Sequence, residues 1–187
     1  MGKFVARWFL RLTGWEPEGS RPVESKFVLI AAPHTSNWDL VYLLALAAVY
    51  DLKISWMGKH QLFRPPLGWL MRAFGGIPIV RHQRRNMVDQ MIEAFAERDH
   101  LALVVPVEAT RARTEHWKSG FYHIASQAGV PIVMSYLDYK RKRGGFGPAL
   151  TPSGDLRRDM DEFRAFYEPI TGRHPEDFGP VRLEKEI

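Results

Sequence analysis

Cysteine is missing from all 187 residues, which excludes disulfides, a thiolate nucleophile and cysteine-based zinc sites, and fits a reducing compartment. No apolar run is long enough to cross a bilayer. The longest, Leu40 to Tyr50, falls short of the roughly 20 residues a spanning helix needs, so no transmembrane helix is expected. The first residues lack a small-residue cleavage site behind a long apolar region, and export is not expected. There is no Gly-x-Ser-x-Gly elbow, which argues against a serine hydrolase. His116 and His123 have no third ligand and no His-Glu-x-x-His pattern, so neither a metal site nor a bound cofactor is expected.

What is present suits one folded unit. Apolar residues make up 45% of the chain, with six Trp and eleven Phe, enough to fill the core of a single domain over 1–187. A net charge of +5 calls for an anionic partner, and nucleic acid, an anionic membrane surface and a phosphorylated substrate compete. The basic clusters around Arg81, Arg111 and Lys140 come with no helix-turn-helix, RNA-recognition or zinc-finger pattern, so nucleic acid is the weakest of the three.

Along the chain, residues 3 to 14 read as a basic amphipathic helix in which Phe4, Trp8 and Leu12 alternate with Lys3, Arg7 and Arg11. Such a helix either lies in a membrane interface or packs on the domain. Gly14 to Pro22 is a turn-rich break. Strands are expected at 27–32, 53–57, 77–80, 101–105 and 131–137. Helices are expected after Ser36, over 66–74, from a cap at Asn86 to about Arg98, from Gly120 to a stop at Gly129, and over 159–167. Lys140 to Gly145 reads as a charged turn, either simply solvated or a headgroup contact. Alternating strands and helices predict an α/β domain, with a mixed or mostly parallel central sheet flanked by helices.

The most informative stretch is His34-Thr-Ser-Asn-Trp-Asp39. It follows a buried strand ended by Pro33, and Thr35, Ser36 or Asn37 can cap the next helix. His34 therefore sits in a turn and Asp39 in a first helical turn, where a carboxylate is favoured by the helix dipole. Folded back, Asp39 can hold one imidazole nitrogen and leave the other as a base for a hydroxyl attacking a thioester. The plainer alternative is that His34 only ends a strand and Asp39 only caps a helix. At the end of 77–80, Arg81 is either a phosphate grip or a solvated loop charge. After 101–105, Glu108 can hold Arg111 in place or bind an acceptor hydroxyl, while Arg111 can contact phosphate; a plain ion pair is the alternative.

Four blocks in order, His34 to Asp39, Gly76-Ile-Pro-Ile-Val-Arg81, Val107-Glu-Ala-Thr-Arg111 and Val130-Pro-Ile-Val133, resemble those of the glycerolipid acyltransferase family typified by lysophosphatidate acyltransferases. The resemblance spans about residues 25 to 137, with 1–20 as an amphipathic N-terminal segment outside it. It implies an α/β fold and an HxxxxD dyad of His34 and Asp39. It also implies an acceptor site of Arg81, Glu108, Thr110 and Arg111. The implied donor is acyl-CoA or acyl-carrier protein, the implied acceptor a lysophospholipid at the membrane surface, and the implied place the cytoplasmic, inner face of the membrane. Ala109 stands where the family has glycine, Val107 where it has proline, and Met134 where a second proline is usual. If the glycine's backbone is left-handed, Ala109 costs on the order of 1 kcal/mol. Competing readings are a noncatalytic lipid-binding protein and a thioesterase with water as acceptor.

Overall fold

The computed structural model describes residues 2–79 and 84–186, with the side chains of 84–86 outside that description. Near-continuous apolar runs make strands that must be covered on both faces, and this requirement organises the molecule. Strands β2 (Lys26–Ala31), β5 (Leu101–Val105) and β6 (Ile132–Asp138) are such runs, and they lie side by side at the centre. The full sheet also holds β1 (Glu16–Gly19), β3 (Ile54–Lys59), β4 (Gly76–Ile79) and β7 (Arg143–Leu150), in the order β1-β7-β6-β2-β5-β3-β4. Every pairing is parallel except that of β6 with β7.

Side chains alternate across the sheet, so each strand feeds two cores. Phe27, Leu29, Ala102, Val104 and Val133 face helix α2 (Trp38–Val49), packing on Leu43 and Ala47. Val28, Ile30, Leu103 and Ile132 face the other way. There they meet α4 (Arg84–Ala96) through Met91 and Phe95, α5 (Gly120–Ala128) through Phe121 and Ile124, and α6 (Leu156–Tyr167) through Phe163. Helix α1 (Lys3–Thr13) lies on α2, burying only Ala6 and Leu10, and ends at Gly14 in a left-handed cap. The crossover from β3 to β4 carries a 3-10 turn, His60–Phe63, and the short α3 (Gly68–Ala73). Phe63 fills the space beside Gly58 and Trp56, on the Ile54 side of β3, so this crossover covers the α2 face of the sheet.

Several expectations need correction. The break at Gly14 to Pro22 contains β1, whose Glu16 and Glu18 pair with Arg143, while Arg141 pairs with Asp138 and Glu18. Lys140 to Lys142 do lie in an exposed charged turn, but Arg143 to Gly145 begin β7, and Arg141 and Arg143 are paired with Asp138 of β6 and the β1 carboxylates. Gly145 is there because a Cβ would stand 1.8 Å from the Glu18 carbonyl oxygen. Asn86, expected at the helix start, falls inside α4, two residues after its first. The helix expected over 66–74 shrinks to α3, and α6 starts earlier, where the Asp155 side chain accepts from Arg158 N.

Candidate active site

The reversal of direction in strand sequence places the ends of β2, β5, β3 and β6 around one crevice, the usual location of function in open α/β sheets. A cavity of about 570 Å3 opens there, lined mainly by apolar side chains such as Leu40, Leu43, Trp56, Met57, Phe121 and Ile124. His34 and Asp39 both form part of its wall.

The turn between β2 and α2 builds the dyad from its own backbone. Ser36 Oγ accepts from Trp38 N at 3.2 Å, and Asp39 Oδ2 accepts from Ser36 N at 2.9 Å, so each end of the turn satisfies a donor of the other. Of the three possible caps it is Ser36 that bonds; the Asn37 side chain makes no capping bond. Folding the carboxylate back in this way brings Asp39 Oδ2 to 3.3 Å from His34 Nδ1. Nε2 is then the ring nitrogen left for a bound molecule. Thr35 anchors the turn from outside, accepting from His174 N at 3.1 Å.

Glu108 does not pair with Arg111. It is 3% exposed, and its Oε2 accepts from the backbone N–H of His34 at 2.9 Å, tying the turn after β5 to the turn after β2. Its Oε1 is buried without a partner. Burial pushes the Glu108 carboxyl up to about 8, the His34 N–H partly opposing this and the nearby Asp39 charge adding to it. A proton on Oε1 removes the penalty of an isolated buried charge. Ala109, next in the chain, adopts φ 56, the left-handed conformation that favours glycine. Arg111 lines the cavity and donates to Asn37 Oδ1 at 2.5 Å, which fixes the guanidinium beside the His34 turn. Thr110 is exposed, with its Oγ1 accepting locally from Ala112 N, and is not part of the cavity wall. Arg81 lies outside the described residues.

The structure thus assembles His34, Asp39, Glu108 and Arg111. It adds Tyr139, which the sequence reading passed over and whose Oη donates to Asp39 Oδ1 at 2.6 Å. No sequence spacing links Tyr139 to Asp39; only the adjacency of β6 and β2 brings them together. Among the described residues, the one group with the spacing of metal ligands is the surface trio His174, Glu176 and Asp177.

A family model described as Acyltransferase matches residues 16–137. A curated 1-acyl-sn-glycerol-3-phosphate acyltransferase of Haemophilus influenzae is 30% identical over 141 residues, covering 69% of this chain and 58% of the relative. The chain therefore spans a little over half the length of that protein. The crystal structure of the 1-acyl-sn-glycerophosphate (LPA) acyltransferase PlsC from Thermotoga maritima superimposes with a TM-score of 0.60 over 89% of this chain and 77% of that one. At 18% identity this is a likeness of fold.

Two stability measurements follow from this geometry. Glu108 holds its proton in the folded state to about 8, whereas an unfolded glutamate loses it near the ordinary value of about 4.3. The folded protein then binds more protons across that window, and stability falls as pH rises through it. Glu108→Gln should flatten this fall in denaturant titrations at pH 5, 7 and 9; an unchanged slope would mean the carboxyl is ionised. Ala109→Gly should raise stability by up to about 1 kcal/mol, read from the urea midpoint, because it relieves the left-handed strain.

Proposed function

The chain belongs to the acyltransferase family, and we propose that it moves a fatty acyl group from an acyl-CoA or acyl-carrier-protein thioester to a hydroxyl of a 1-acylglycerol-3-phosphate-like lysophospholipid. The observation that carries this reading is the His34–Asp39 pair at 3.3 Å in the wall of an apolar cavity of about 570 Å3. A dyad alone suits many reactions. A dyad whose free nitrogen meets an apolar chamber suits one in which an acyl chain must be held while its carbonyl is attacked.

In the proposed reaction His34 Nε2 takes the proton from the acceptor hydroxyl as that oxygen bonds to the thioester carbonyl carbon. Asp39 holds Nδ1–H and stabilises the imidazolium. The tetrahedral intermediate collapses by breaking the carbon–sulfur bond, and the departing sulfur takes the proton back from Nε2, giving an ester and a free thiol. No covalent enzyme intermediate is needed, in keeping with a chain without cysteine. Arg111 positions an anionic headgroup beside the dyad, and Arg81 is proposed as its companion from the resemblance of its block. Glu108 acts from behind by fixing the His34 backbone, and Thr110 shapes the turn that carries Arg111.

A peripheral position on the inner, cytoplasmic face of the membrane is proposed as well. Phe4, Trp8 and Leu12 of α1 are exposed, and so are Trp38 and Leu40 at the start of α2 and Leu67 and Trp69 in the β3–β4 crossover. All sit in the helical layer on one side of the sheet. Charge follows the same division. In that layer residues 1–15 and 60–75 contain no acidic residue, while on the other side α6 and the segment just before it set Asp155, Asp159, Asp161 and Glu162 against Arg157, Arg158 and Arg164. An apolar, basic face fits an anionic bilayer, with Trp at the headgroup boundary. Among the described residues no helix is long and apolar enough to cross a membrane.

With labelled acyl-CoA or acyl-carrier protein and a panel of lysophospholipids, His34→Ala should lose roughly 10²- to 10⁴-fold in ester formation while its circular dichroism is unchanged. Residual turnover near wild type would defeat the mechanism, and thiol release without lipid product would point to water as acceptor. In flotation assays the chain should bind phosphatidylglycerol vesicles more tightly than neutral ones, and added salt should weaken that binding. Replacing Trp8 and Leu12 by Ser should lower it on the order of tenfold; indifference to both changes would refute the membrane placement.

A further inference from the structure

Asp39 is buried, and a buried carboxylate must have its acceptor sites filled in a fixed way if it is to aim at a partner. Its Oδ2 is shared between Ser36 N at 2.9 Å and His34 Nδ1 at 3.3 Å. With nothing on Oδ1, the group could swing about its Cβ–Cγ bond, a torsion with a broad, shallow preference. Tyr139 closes that freedom by donating to Oδ1 at 2.6 Å.

The phenol is itself immobilised. Tyr139 is the first residue after β6, and its backbone N donates to Thr171 O at 2.9 Å. Its ring meets Trp15 edge-on at 4.9 Å and Tyr42 edge-on at 6.0 Å, while the Arg173 guanidinium stands 5.8 Å from its centroid. Burial, and then the bond to Asp39, hold its ionisation well above the ordinary range, so it remains a donor at every working pH. Residues 16–137 are those the family model matches, and Tyr139 lies beyond them.

We propose that Tyr139 is a positioning residue of the transfer reaction, anchoring Asp39 Oδ1 so that Oδ2 stays on His34 Nδ1 and Nε2 stays aimed at the acceptor hydroxyl. This rests on the reading of His34 as the base. Tyr139 is not part of the cavity wall, and its effect passes through Asp39. Its loss therefore lowers kcat and leaves KM for donor and acceptor as they were.

The test is a cycle of Tyr139→Phe, Asp39→Ala and the double variant, with kcat and KM measured for each. Phe keeps the ring contacts with Trp15 and Tyr42, so the fold should hold, with a modest drop in melting temperature because Asp39 Oδ1 loses its donor. Tyr139→Phe should cost on the order of tenfold to a hundredfold in kcat, but less than about twofold further in the Asp39→Ala background, because the group it acts through is gone. A second readout needs no turnover. In protein labelled with 15N-histidine, the Nδ1–H resonance of His34, identified by its loss in Asp39→Ala, should broaden or vanish in Tyr139→Phe. An unchanged kcat, a surviving resonance, or losses that add in the double variant each overturn the proposal. If the wild type transfers no acyl group to any acceptor, the transferase reading falls; the resonance then upholds Tyr139 as the anchor of the dyad if lost and overturns it if retained.

Discussion

The carboxylate of Asp39 collects donors from three separate parts of the fold: Ser36 and His34 in its own turn, and Tyr139 from the far end of β6. An ion this deeply placed is tolerable only because each of its oxygens is engaged. Everything that brings those donors into reach is therefore under constraint. Strand β2 must end where it does so that Ser36 caps α2, and β6 must be the parallel neighbour of β2 so that Tyr139 arrives at the same level. The other neighbour, β5, delivers Glu108, whose grip on the His34 backbone fixes the imidazole from behind. Two buried carboxyl groups so close together are reconciled by protonating one of them, and burial selects Glu108 for that role.

Local pattern carried the sequence reading far. The apolar runs at Phe27 and Leu101 announced central strands, and Gly129 marked the end of α5 by the left-handed cap it adopts. The His34–Asp39 pair was legible because five residues of turn and helix suffice to bring the two together. Ala109 was legible for a similar reason, since a glycine position filled by alanine advertises its own strain. What escaped depends on contacts distant in sequence. Strand β1, Glu-Pro-Glu-Gly, has no apolar alternation and becomes a strand only because β7 offers it a partner. Strand β7 holds three glycines and a proline and was hidden by them, although Gly145 is required by the close approach of β1. The partner of Glu108 is a backbone N–H in another loop, which no reading of side chains can anticipate.

Helix α1 lies between the surface and the aromatic cluster around Tyr139. Its inner face, Ala6 and Leu10, docks on α2, and the residue just beyond its cap, Trp15, stacks on Tyr42 at 4.3 Å and touches Tyr139. Its outer face is left apolar and basic. The segment proposed to meet a bilayer is therefore joined through one aromatic cluster to Tyr139 and the dyad, with no flexible linker between them.

The central strand also has a cost in time. Lys26 pairs with Leu101, and Val28 with Ile132, so the strand that leads into the His34 turn leaves the ribosome long before either neighbour has been made. Until then Phe27-Val-Leu-Ile-Ala31 is an unpaired apolar edge of the kind that aggregates. Closing such distant parallel pairs is slow, since the entropy of the intervening loop must be lost before the contacts reward it. A nascent chain of this design is at its most vulnerable between the synthesis of β2 and β6, and that interval is when it would need shelter from a chaperone.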